Sequence, residues 1–353
     1  MKQHIIRAGL ETLYFSGAHL ALRGPFAGVG AILTLHHVRP PRADAFQPNG
    51  LLEVTPEFLE SVLTWLRRSS IDIISLDEMH RRLVEDDTAA DAKARFVCLT
   101  FDDGYRDNLR FAYPILRQHQ VPFALYIATS FPDRLGELWW LALEAVIARN
   151  DVVALAMDGD ERRFDCATMA AKRQAFETIY WWLRGRESEA ELRRVVHDFA
   201  ARYDVSVTRF CHELCMTWSE LAELAADPLV TIGAHTVNHV ILQKVPAKVV
   251  AAEMRMSAAV IEAALGVRPH HFSYPVGDAT SAGPREFGMA ARLGFKTGVT
   301  TRPGVLFPEH RRHLTALPRI SVNGQFQRLR YLQVLLSGTA TALWSGFRRV
   351  DAA

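Results

Sequence analysis

Cysteine is scarce in this chain: Cys98, Cys166, Cys211 and Cys215 are the four in 353 residues. They are too few for a disulfide scaffold and too unevenly spaced for a zinc ribbon. Cys211 and Cys215 flank His212, but this cluster lacks a second half for holding metal and otherwise reads as small buried apolar residues. An excess of positive charge is also missing. The 41 Lys plus Arg stand against 39 Asp plus Glu, a formal charge of +2, so a protein bound mainly through phosphates is excluded and nucleic acid is not an expected partner. No stretch reaches the roughly 18 apolar residues of a spanning helix. Residues 1–22 are interrupted by Arg7, Glu11 and His19, whereas a secretory signal needs about 7 to 15 continuous apolar residues. The expectation is a soluble cytoplasmic protein. Internal repeats and low-complexity tracts are absent too.

What is present is an ordinary globular balance, 49% hydrophobic and 23% charged, enough for a sizeable core. The length suggests two domains or one large barrel with insertions. Short runs rich in β-branched and aromatic residues, at 31–35, 71–75, 96–101, 123–127, 229–232, 271–274 and 297–300, predict strands. Helical patterns lie between them. Thr55-Pro56 offers an N-cap and a first-turn proline before Leu59, Val62, Leu63 and Leu66; Asp77 opens a second helix; residues 247–265 form a long one ending at Gly266. Near-continuous apolar strands alternating with helices predict an α/β fold with a parallel sheet, either an open doubly wound sheet or a β/α barrel. In both, chemistry sits at the C-terminal strand ends. Residues 131–217 break the alternation and read as a helical insertion whose tryptophans, Trp139, Trp140, Trp181 and Trp182, pack a small core of their own. The expected organisation is an N-terminal helical segment (1–29), a barrel (30–325) carrying that insertion, and a C-terminal helical segment (326–353).

Polar clusters fall where such a fold would place a site. Leu99-Thr100-Phe101-Asp102-Asp103-Gly104-Tyr105 sets two adjacent carboxylates at a strand end. Adjacent residues there point in different directions, so one can bind a cation while the other takes a proton, although Asp-Asp-Gly is also a common turn. Gly233-Ala234-His235-Thr236-Val237-Asn238-His239 follows another strand, with two histidines four apart that a helical turn would place on one face. One Asp with two His is a common three-ligand set for catalytic zinc, leaving a position open for water.

Thr100-Phe101-Asp102-Asp103-Gly104-Tyr105, His235-Thr236-Val237-Asn238-His239 and Phe272-Ser273-Tyr274-Pro275-Val276-Gly277 together resemble the first three motifs of the polysaccharide deacetylases, carbohydrate esterase family 4, with its nodulation-type chitooligosaccharide deacetylase domain. The resemblance covers roughly residues 30–130 and 217–322. It implies a distorted β/α barrel and a divalent cation, zinc foremost with cobalt, nickel or iron also suited, held by Asp103, His235 and His239. It also implies Asp102 as general base and the Tyr274 amide as oxyanion donor. The implied substrate is an acetylated carbohydrate, a poly- or oligosaccharide of N-acetylglucosamine. Another acyl substrate, or a degenerate carbohydrate-binding site, is the alternative.

One departure is informative. No Leu-x-His motif follows residue 300, and Glu309-His310-Arg311-Arg312-His313 reads as a solvated loop. Instead Thr34-Leu35-His36-His37-Val38 precedes the first motif. This looks like the permuted order of poly-N-acetylglucosamine deacetylases, in which His36 matches the catalytic acid; His37 stays an alternative. Arg268 is a candidate for the family's base-orienting arginine, and Tyr105 for stacking on sugar at the mouth. In the terminal segments, Arg328, Arg330, Arg348 and Arg349 could face anionic lipid while Leu332, Leu335 and Leu336 dip in, giving peripheral membrane contact.

Overall fold

A computed structural model describes residues 2–85 and 95–352. Strands β1 (Gly30–Leu35), β2 (Phe96–Phe101), β3 (Phe123–Ile127), β4 (Val230–Ala234), β5 (His271–Ser273), β6 (Thr297–Pro303) and β7 (Leu317–Ser321) all run parallel. The order is β1-β7-β6-β5-β4-β3-β2, and pairing of β1 with β2, from Gly30 opposite Phe96 to Leu35 opposite Phe101, closes the cylinder. The fold is thus a distorted β/α barrel. Every residue of β1, β2 and β3 is buried, because helices cover the outside while side chains fill the inside.

Helix Pro56–Arg68 forms as its sequence dictates. Thr55 Oγ1 accepts the Phe58 N–H at 3.2 Å, and Phe58, Leu59, Val62, Leu63 and Leu66 turn one face into the barrel core. Helix Ala247–Leu265 stops at Gly266, whose φ of 70° suits a left-handed C-cap. The expected strand at 71–75 shrinks to Asp72–Ile73, added beside the start of β2. Residues 309–313, expected as a solvated loop, lie almost wholly within a short 3-10 helix, Pro308–Arg312, with His310 fully buried.

The insertion keeps its own core, in which Trp139 and Trp140 join Leu143, Ile147, Ile179 and Leu183. It is not purely helical. Between helices Trp139–Arg149 and Met169–Arg184, an antiparallel hairpin pairs Val152–Met157 with Asp160–Asp165. Entry and exit are clamped together: Arg134 Nη1 donates to the carbonyls of Cys211 (3.0 Å), His212 (3.2 Å) and Cys215 (3.0 Å). All four cysteines are free and buried.

The terminal segments pack on each other. Leu10 of helix Lys2–Phe15 meets Tyr331 and Val334 of helix Leu329–Leu336, and Glu11 accepts from Arg330 at 2.6 Å. Leu332 and Leu336 are buried against the barrel core and Leu335 is half-buried, so these leucines do not form the lipid-facing surface expected of them. Among the described residues no helix is long and apolar enough to cross a membrane.

Candidate active site

The C-terminal ends of the strands bring the polar clusters together. Asp102 and Asp103 follow β2, His36 follows β1, His235 follows β4 and Tyr274 follows β5. Asp103 Oδ1 lies 3.5 Å from His235 Nε2 and 3.3 Å from His239 Nε2, and the three ligand atoms are all within 4.8 Å of one another. All three side chains are buried. The histidines converge through a loop rather than the helical turn expected from their spacing, with Thr236 at φ 67° and His239 at φ 52°. Of the ten non-glycine residues with positive φ among those described, Asp103, Thr236, His239 and Val276 lie at this site, as expected where surrounding structure imposes a functional geometry.

Glu253 on helix Ala247–Leu265 holds that loop. Its Oε2 accepts the Val237 and Asn238 N–H groups at 2.8 and 2.9 Å, and its Oε1 accepts from Asn238 Nδ2 at 2.8 Å. His235 Nδ1 sits 2.7 Å from the Ser273 carbonyl, which makes Nδ1 the protonated nitrogen and leaves the Nε2 lone pair facing Asp103. Asp103 Oδ1 is buried without a hydrogen-bond donor. A carboxylate oxygen and an imidazole lone pair facing each other in a buried space call for a cation, so this donor set fits one divalent ion.

Asp102 is a different carboxylate. Arg319 donates to it with both arms of its guanidinium, Nη1 to Oδ1 at 2.9 Å and Nη2 to Oδ2 at 2.6 Å. Arg319 is itself fixed, with Nε donating to Thr300 O at 2.8 Å and Nη1 to Thr100 Oγ1 at 3.1 Å. Burial works to raise the Asp102 pKa, but Arg319 outweighs it and holds the carboxyl below its ordinary value. The sequence reading missed this arginine and the strand that carries it. Arg268, the earlier candidate, lies at the surface and pairs with Glu262 at 3.1 Å.

His36 lines a cleft of about 760 Å³ together with Asp103 and His239. Burial pulls its pKa down against the pull of Asp103 and Asp102, and the net direction is down. His37 turns away: its Nδ1 is 2.6 Å from Asp107 Oδ2 and its ring stacks on Tyr105 at 3.5 Å between centroids. Tyr105 is fully buried, so it is not the sugar-stacking residue at the mouth. The Tyr274 amide, expected to face an oxyanion, donates to Val299 O at 3.2 Å within the sheet, and its ring is core, with the hydroxyl donating to Thr315 O at 2.7 Å. The aromatic that does stand at the cleft is Trp181, 63% exposed, beside Tyr180, which stacks on Trp139 at 5.3 Å.

The sequence model of the polysaccharide deacetylase family matches residues 89–154 and 185–296, about half of the chain. Comparison with functionally curated proteins finds no match. Among solved structures, the chain is similar to the Streptococcus pyogenes deacetylase PplD in complex with acetate, at 19% identity and a TM-score of 0.56, covering 86% of this chain and 97% of that one. It is also similar to IcaB from Ammonifex degensii (16%, TM-score 0.54, 88% and 97% covered) and to a de-N-acetylase from Aggregatibacter actinomycetemcomitans (13%, TM-score 0.52, 86% and 99% covered). At these identities the likeness is one of fold.

Proposed function

Because this chain belongs to the polysaccharide deacetylase family, we propose that it is a divalent-cation-dependent hydrolase that removes N-acetyl groups from a poly- or oligosaccharide containing N-acetylglucosamine. The observation that carries this reading is the division of labour between neighbouring carboxylates, Asp103 facing two imidazoles and Asp102 gripped by Arg319. The cation, zinc foremost, would be held by Asp103, His235 and His239 and would supply Lewis acidity toward water and the acetyl carbonyl.

Asp102, kept ionised by Arg319, takes a proton as water adds to the acetyl carbon. His36, which lines the same cleft as Asp103 and His239, gives a proton to the sugar nitrogen as the C–N bond breaks. Acetate and a free amine leave. His36 is favoured over His37 because His37 is occupied by Asp107 and Tyr105. Carbohydrate suits the cleft, since Trp181 and Tyr180 offer flat apolar faces to pyranose rings.

Acetate release from chitooligosaccharides, measured alongside metal content, tests the assignment. Asp103→Ala should lose metal and activity together. Asp102→Asn should keep metal and lose at least about a hundredfold in rate, the scale of a general base. Normal activity in the Asp102 variant would refute the role given to it, and release only from O-acetyl sugars or small amides would move the substrate elsewhere.

A further inference from the structure

We propose that the two terminal segments together form a docking face for an anionic lipid surface, placed at the barrel end opposite the catalytic cleft. Of the fifteen large apolar side chains exposed among the described residues, six (Phe15, Leu20, Leu22, Leu343, Trp344 and Phe347) fall in residues 15–22 and 343–347, two stretches that total 13 residues. Scattered exposed apolar residues need no explanation, but a concentration of this kind marks an interaction surface.

The two stretches are held together by contact. Helix Thr339–Trp344 touches helices Ala18–Ala21 and Arg23–Phe26, and the Phe26 and Phe347 rings lie 5.7 Å apart. Gly338, at φ 73°, lets the chains meet: a Cβ there would fall 1.7 Å from Phe26 O. Their place is fixed too. The segment feeds directly into Gly30 at the start of β1, and Arg95, just ahead of β2, donates to both Ala27 O (2.8 Å) and Leu336 O (2.7 Å). The site residues lie at the other ends of the same strands, about 20 Å away by strand rise.

Charge selects the occupant. Residues 1–29 and 326–353 hold seven Lys or Arg and two Asp or Glu, a net +5, whereas the whole chain carries +2. Arg23 and Arg348 are exposed, with no carboxylate partner among the described residues. Beside Leu20, a pocket of about 260 Å³ lined by His19, Arg23 and Arg95 is suited to a phosphate headgroup. Two copies of the chain meeting through this face would set like charge against like; an anionic bilayer complements it. Apolar side chains including a tryptophan, rimmed by arginine, are the composition of a surface that lies in the interface rather than spanning it.

Co-sedimentation of the full-length protein with vesicles tests this, using phosphatidylcholine alone and equal parts phosphatidylglycerol and phosphatidylcholine. Binding is expected to the mixed vesicles and not to the neutral ones. Phe15→Ser with Trp344→Ser and Phe347→Ser should weaken binding at least about tenfold, as should Arg23→Glu with Arg348→Glu, at roughly fivefold per basic residue near an anionic surface. Acetate release from soluble oligosaccharide should not change in either variant. Failure of the unaltered protein to bind, or binding by the arginine variant equal to it, would overturn the proposal. So would a concentration-dependent dimer in sedimentation velocity that the apolar variant abolishes. Should the apolar variant misfold, the arginine pair, both exposed, decides alone.

Discussion

Asp102 and Asp103 share one chemistry and sit one residue apart, yet their neighbours give them opposite tasks. Replacing Arg319 by Ala should raise the Asp102 pKa, because the strongest opposition to burial is then gone, and should shift the acid limb of the kcat/KM profile to higher pH. Leaving a buried carboxylate unpaired should also cost about 3 to 5 kcal/mol in denaturant unfolding, part of which Arg319→Lys should restore. His310 gives a second prediction. Burial pushes its pKa to about 4, from an ordinary 6.5. Between those values the unfolded chain binds the proton and the folded one does not, so stability falls as pH drops, by up to about 3 kcal/mol near pH 4. His310→Gln should flatten the fall in melting temperature on acidification. Asp102, Asp103 and His235 were legible because each stands just after an apolar run, and His239 through its spacing from His235. Arg319 was not: its partner is 217 residues away, and the Pro318-Arg319 pair reads as loop. Arg268 drew notice only through closeness in sequence to the third motif.

Among elements, helix Met169–Arg184 is the one that distinguishes this cleft. It lies within residues 155–184, which the family's sequence pattern passes over, and it supplies Arg173, Phe176, Tyr180 and Trp181 to the wall. Trp181→Ala is therefore expected to lower kcat/KM for oligosaccharides about three- to tenfold, the worth of one aromatic contact, and to leave turnover of a monosaccharide unchanged. Comparing chain lengths in one acetate-release assay reads this out. The strands at 96–101 and 123–127 and the helix at 247–265 were readable to the residue, since apolar runs or a terminal glycine mark their ends. β7 was missed because an arginine and a proline interrupt its apolar pattern. The insertion's hairpin was missed because Asp160–Asp165 has no buried face to betray it; five of its six residues are exposed.

At the scale of the whole molecule, strands apolar on both faces foreshadowed the parallel sheet but left it open or closed; the resemblance implied the closed barrel, and the pairing of β1 with β2 as well as β7 bears that out. That closure places the reactive groups at one end of the strands, while Ala27 and Leu336, both bonded by Arg95, lie at the other. A protein docked as proposed would hold its cleft away from the bilayer, toward a polymer in solution. One contact reaches further than its size suggests. Because Arg134 ties the entry of the 131–217 segment to its exit at Cys211, His212 and Cys215, the barrel meets that segment as a socket meets a plug. What stands between the two ends is also bonded to barrel loops, Arg184 to Asp278 at 2.9 Å and Arg42 to Glu144 at 2.8 Å, so the walls of the cleft and its reactive floor are braced as one piece.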